Sequence, residues 1–68
     1  MTPTQLQTRL ARLYGKDLST QKLCISITRD MGLTSLDTAR KWINGVNPVP
    51  PYMGLVLDAL EARKAAGH

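Results

Sequence analysis

The stretch Gly32-Leu33-Thr34-Ser35-Leu36-Asp37-Thr38-Ala39-Arg40-Lys41-Trp42-Ile43-Asn44-Gly45-Val46-Asn47-Pro48-Val49-Pro50-Pro51 decides how this chain folds. Gly32 is a helix stop and Ser35 a side-chain cap that opens the next helix. Asp37 suits the positive end of that helix's dipole, and Asn44-Gly45 is a second stop. At about 100° per residue, Leu36, Ala39, Trp42 and Ile43 fall on one side of the helix. Asp37, Lys41 and Asn44 fall on the other, with Thr38 and Arg40 at the flanks. Between Val46 and Pro51 the prolines forbid a continuing helix and keep the chain extended, and Pro51 is placed to start a new one.

Upstream, Thr2-Pro3 opens a first helix, in which Leu6, Leu10, Leu13 and Tyr14 recur at helical spacing before Gly15 ends it. Ser19 caps a second helix, with Gln21 or Lys22 placed to reach back toward the cap, and Leu23, Cys24, Ile27 and Met31 form its inward stripe. Residues 24–28 are β-branched enough for a strand, but the pattern runs too long without alternation and closes on Gly32. After the prolines, Met53, Val56, Leu57 and Leu60 make an apolar helix face. Gly54 within it suggests close packing against a neighbour. The spacing predicts an all-α, compact bundle of four short helices, or five, at residues 3–14, 20–31, 36–44 and 51–64, with the tail 65–68 frayed. All of 1–68 forms one domain containing a helix-turn-helix.

Sixty-eight residues with a single cysteine and a single histidine allow neither an internal disulfide nor a tetrahedral zinc set. A domain of this size buries only about 60% of its unfolded surface, so helix packing and dimerisation must supply its stability. Cys24 reads as a small buried hydrophobe in a reducing compartment. Neither a signal peptide nor a membrane-length apolar run is visible, so a cytoplasmic protein with no membrane partner is expected. Nine Lys/Arg against five Asp/Glu leave a formal charge of +4, which attracts polyanions but also serves as plain solvated surface. No nucleophile set, paired carboxylates, phosphate-cradling loop or metal cluster can be assembled. The expectation is therefore no enzyme, no cofactor, no metal and no small-molecule ligand.

A helix that enters the major groove needs polar side chains outward and a firm seat behind. The helix after Ser35 meets both needs. Trp42 and Ala39 seat it, and Arg40 or Lys41 can reach guanine O6 and N7. Asn44 can pair with adenine, Thr38 can meet a thymine methyl, and Asp37 can accept from cytosine N4. Ser35, at the start of the helix, completes the candidate base-contacting set.

The run Met31-Gly32-Leu33-Thr34-Ser35, then Ala39-Arg40-Lys41-Trp42-Ile43-Asn44-Gly45, then Asn47-Pro48-Val49-Pro50 and an apolar helix, resembles the lambda-repressor-like helix-turn-helix family. The resemblance spans residues 19–61. Two positions depart from it: Thr28 stands where a small alanine is usual, and the interval from Gly32 to Trp42 is one residue longer. The resemblance implies a small phage or plasmid regulator that binds operator DNA as a homodimer and represses transcription, often its own. The very short members of that family include the regulators that accompany anti-CRISPR genes in phages. It further implies phosphate contacts from Thr20, Gln21 or Lys22 at the start of the second helix, from Thr34 in the turn, and from Asn47 beside Val46 in the following loop.

One recognition helix reads few base pairs, so two half-sites of an inverted repeat are expected. The last helix has more apolar width than one side of a bundle requires. Tyr52, Met53, Val56, Leu57, Leu60 and Arg63 are therefore the expected dimer surface. The rival reading is an adaptor or inhibitor module that meets an acidic partner protein without DNA. Non-specific nucleic-acid coating is disfavoured by only three aromatic residues.

Overall fold

A computed structural model describes residues 1–67. Its elements are all helical: α1 (Pro3–Tyr14), α2 (Thr20–Met31), α3 (Leu36–Ile43) and α4 (Met53–Gly67). The all-α reading with four helices is what the chain adopts. No fifth helix forms among the described residues.

Each of the first three helices starts on a side chain just ahead of it. Thr2 Oγ1 accepts from the Gln5 N–H at 3.1 Å while the Thr2 N–H donates to Gln5 Oε1 at 2.9 Å, a reciprocal capping box. The similar box expected at Ser19 is only half made. Ser19 Oγ accepts from the Lys22 N–H at 3.3 Å, but the residue at that position is a lysine, whose ammonium has donors and no acceptor to return. Ser35 Oγ accepts from the Asp37 N–H at 3.2 Å and caps α3.

The two glycine stops are the same device used twice. At the end of α2, Gly32 takes a left-handed backbone (φ 70°), its N–H reaches Arg29 O at 3.2 Å, and the Leu33 N–H reaches Thr28 O at 3.0 Å. At the end of α3, Gly45 (φ 76°) bonds to Trp42 O at 3.3 Å and the Val46 N–H to Lys41 O at 2.9 Å. Both are paired 6→1 and 5→2 closures that satisfy the last carbonyls of a helix. Asn44 is the C-cap of α3 rather than its last helical residue.

α4 begins two residues later than the prolines suggest. Pro51 and Tyr52 form a turn whose Met53 N–H donates to Pro50 O at 3.0 Å, so Pro51 occupies the turn position for which its fixed φ suits it. The helix then runs through Ala65, Ala66 and Gly67, which were expected to fray. The two alanines are the best helix formers, and Lys64 Nζ just before them is tied to Leu13 O at 2.5 Å. His68, the last residue of that expected tail, lies outside the described residues.

The core is centred on α1. Leu6, Leu10 and Leu13 of α1 meet Leu23, Cys24 and Ile27 of α2, Ala39 and Trp42 of α3, and Met53 and Leu57 of α4. Helix α1 packs on each of the other three, α2 also packs on α3, and α4 packs on α1 alone. Val49 joins this core as well, the one buried side chain between Gly45 and Tyr52, in a loop that its flanking prolines keep from turning helical. Two expectations are corrected here. A side chain at Gly54 would meet nothing within 4 Å, so no neighbour packs closely against that glycine. Met53 and Leu57 have no exposed surface at all: their side of α4 is consumed by α1, and they cannot form a dimer surface.

Ion pairs reinforce the α1–α4 seam. Arg9 Nη2 lies 2.6 Å from Asp58 Oδ1 and 3.2 Å from Glu61 Oε2, and Arg12 Nη2 lies 3.0 Å from Glu61 Oε1. These donors, Arg12 foremost, hold the Glu61 carboxyl below its usual range. The folded chain therefore takes up that proton less readily than the unfolded one. The contribution is complete above the ordinary glutamate value of about 4.3 and is lost as pH falls through the lower folded value. Thermal melts should show a smaller loss of stability between neutral pH and about pH 3 in Glu61→Gln than in the parent chain; equal losses would remove the pair from the acid response. Leu57→Ala should cost about 2–5 kcal/mol in urea unfolding, a large share of the stability a domain this small can hold.

Candidate nucleic-acid interface

α3 is eight residues long, and its two sides separate cleanly. Ala39 and Trp42 are buried, Leu36 and Ile43 half-buried, and Asp37, Arg40, Lys41 and Asn44 exposed. Thr38 is half-buried at the flank. Ser35 is exposed, but its hydroxyl is already engaged as the cap. Arg40 Nη1 stands 3.7 Å from Asp37 Oδ1 one turn earlier on the same face, with both side chains more than half exposed. Such a pair contributes well under 1 kcal/mol, so Arg40 is free to exchange it for another acceptor.

Helix α2 presents its N-terminus beside this face. Thr20, Gln21, Cys24, Arg40 and Asn44 line one open cleft of about 180 Å³. Two residues proposed for phosphate contact thus meet two proposed for base contact. Lys22, Thr34 and Asn47 are exposed on neighbouring segments and do not line the cleft. The first-turn amides of α2 that Ser19 does not cap, those of Thr20 and Gln21, lie at the positive end of its dipole, which suits an anionic oxygen. Cys24 is the buried floor. Its thiol is pushed up by burial, with the charge of Arg40 pulling it the other way.

Gln7 belongs to the site although nothing in the sequence singled it out. Its Nε2 donates to Thr20 Oγ1 at 3.1 Å, so α1 orients the first residue of α2. With its oxygen accepting from Gln7, the Thr20 hydroxyl can turn its own proton toward solvent. A contact across thirteen residues between two helices has no periodic signature, which is why sequence reading passed over it.

Asp58 and Glu61 are consumed by Arg9 and Arg12 on the α1–α4 side, and Asp30 accepts from the Tyr14 hydroxyl at 2.6 Å. On α3 and the first turn of α2 the charged residues are Lys22, Arg40 and Lys41 with the single acid Asp37. These two segments carry half of the chain's formal charge of +4. A larger hollow of about 420 Å³ lies by Leu13, Tyr14, Asp30, Leu60, Arg63 and Lys64, but several of its polar groups are already paired: Tyr14 with Asp30, and Lys64 with the Leu13 carbonyl. Burial and that bond to Asp30 push the Tyr14 phenol well up.

No family model, curated protein or solved structure matches this chain. Among the described residues, no three His, Cys, Asp or Glu side chains gather as a metal site, and no helix is long and apolar enough to cross a membrane.

The buried, proton-holding Cys24 should react with a disulfide reagent at pH 8 at least about tenfold more slowly in the native chain than in denaturant. Equal rates would mean that the cleft floor opens to solvent.

Proposed function

We propose that this chain is a sequence-specific double-stranded DNA-binding transcriptional regulator without enzymatic activity. In this reading it is a repressor, autoregulatory in the simplest case, acting in the cytoplasm of a bacterial or phage-infected cell. The observation that carries the reading is the shared cleft: Thr20 and Gln21 from the start of α2 and Arg40 and Asn44 from the outer face of α3 meet in one place, on segments where cations outnumber anions.

In this reading α2 and the four residues 32–35 form the first part of a helix-turn-helix and α3 is the recognition helix. Docked in the major groove, α3 presents Arg40 and Lys41 to guanine, Asn44 to adenine, Thr38 to a thymine methyl and Asp37 to cytosine N4, with Ser35 at its leading end. The α2 amides with Thr20, Gln21 and Lys22 take a phosphate, and Thr34 and Asn47 take the backbone on either side. Gln7 is a positioning residue, since it acts through Thr20. Two copies reading an inverted repeat would place their α3 helices about 34 Å apart on one face of the duplex.

Selection from a random duplex pool should enrich an inverted repeat. On that duplex the Arg40→Ala/Lys41→Ala double variant should lose about 2–4 kcal/mol of affinity, or 30- to 1,000-fold, with its melting temperature retained. Parent affinity should fall by about 0.9 log units per phosphate contact for each tenfold rise in salt. Unchanged affinity in the folded double variant overturns the assignment. Absence of any duplex binding at low salt would give the bundle to the adaptor reading instead.

A further inference from the structure

α4 is apolar on two sides, and only one of them has a partner. Met53 and Leu57 are spent on α1, the only helix α4 packs against. The other side carries Leu55, Ala59, Ala62 and Ala66, all exposed, with the exposed Tyr52 in the turn just ahead of the helix and Val56, half-buried where it also touches the core, at the edge. Leu55 is 74% exposed and Tyr52 51%, two of the most exposed large hydrophobic residues in the chain. The five of them on the helix fall within an arc of about 120° of its surface, with Arg63 their one charged neighbour and no acid among them.

We propose that this outer face is the surface on which a second copy of the chain docks, with the two α4 helices packed antiparallel about a two-fold axis at Ala59. The choice of occupant rests on the order of side-chain sizes along the face. The large residues Tyr52, Leu55 and Val56 lie in its N-terminal half, and the small residues Ala62 and Ala66 in its C-terminal half. Reversing the helix about Ala59 sets Tyr52 over Ala66, Val56 over Ala62 and Leu55 against the aliphatic stem of Arg63. Each bulge meets a gap, and alanine meets alanine at the point of closest approach. A two-fold interface must be complementary to itself, and this face is.

Charge permits the same arrangement. The two Arg63 residues lie eight residues apart along the paired helices, about 12 Å, beyond a Debye length at physiological salt. Each guanidinium also comes near the partner's Tyr52 ring, a favourable cation–π placement. The face runs about 22 Å along a helix of 15 residues. A face one helix wide and of that length is small for a specific interface, so a weak dimer is expected.

The inference takes from the functional reading only the need for two copies, and its test uses no DNA, so either can fail alone. Sedimentation of the full chain from about 1 µM to about 1 mM should show conversion from the 7.5 kDa chain to twice that mass, strengthened or unchanged by added salt. Leu55→Asp should keep the helical spectrum, because an acid in the first turn of α4 favours its dipole, and should weaken the dimer at least 30-fold. Ala59→Arg, at the axis, should do the same. A monomer throughout the range, or a dimer indifferent to both substitutions, overturns the proposal.

Discussion

Every helix of this protein leans on α1. Leu6, Leu10 and Leu13 give one twelve-residue helix enough buried apolar surface to receive α2, α3 and α4 in turn, and among the described helices α4 packs on no other. In a chain that buries only about 60% of its unfolded surface, this seat is most of what stands between the folded bundle and the random chain. It also aims the candidate site. Gln7 on α1 orients Thr20 at the start of α2, and the same leucines back the core in which Trp42 anchors α3.

The second constraint is backbone closure. Gly32 and Gly45 end their helices with the same pair of hydrogen bonds, so α3 is cut as a short separate rod whose last carbonyls are satisfied within the loop. Because the backbone closes on itself, Arg40, Lys41 and Asn44 are not needed to cap anything. Their side chains are left to face outward. Meanwhile the acids that could neutralise them are engaged elsewhere: Asp58 and Glu61 hold α4 to α1 through Arg9 and Arg12. One set of ion pairs thus secures the fold and occupies two of the chain's five acids.

The fourth helix shows how the two jobs divide. Its inner apolar side completes the core, and its outer apolar side has no counterpart within the chain. An exposed leucine on this helix and an exposed tyrosine in the turn before it are costly in water unless a second surface covers them. The proposed DNA-reading face and this face lie on different helices, so recognition and association can be disturbed separately.

Much of this was written locally. The caps at Thr2, Ser19 and Ser35, the stops at Gly32 and Gly45 and the inward stripes of α1, α2 and α3 were legible because each depends on residues within four or five positions along the chain. So was the outward placing of Asp37, Arg40, Lys41 and Asn44. Where local rules competed, sequence reading went astray: Pro51 suits a helix start and a turn equally, and only the docking of Met53 into α1 chose the turn. The apolar residues of α4 could be counted but not divided between two faces until α1 claimed Met53 and Leu57. Likewise, which acids quench which cations, the inward turn of Val49, and the meeting of Gln7 with Thr20 and of Arg40 with Cys24 were settled by packing alone. These are pairings between residues far apart in the chain, and no periodicity records them.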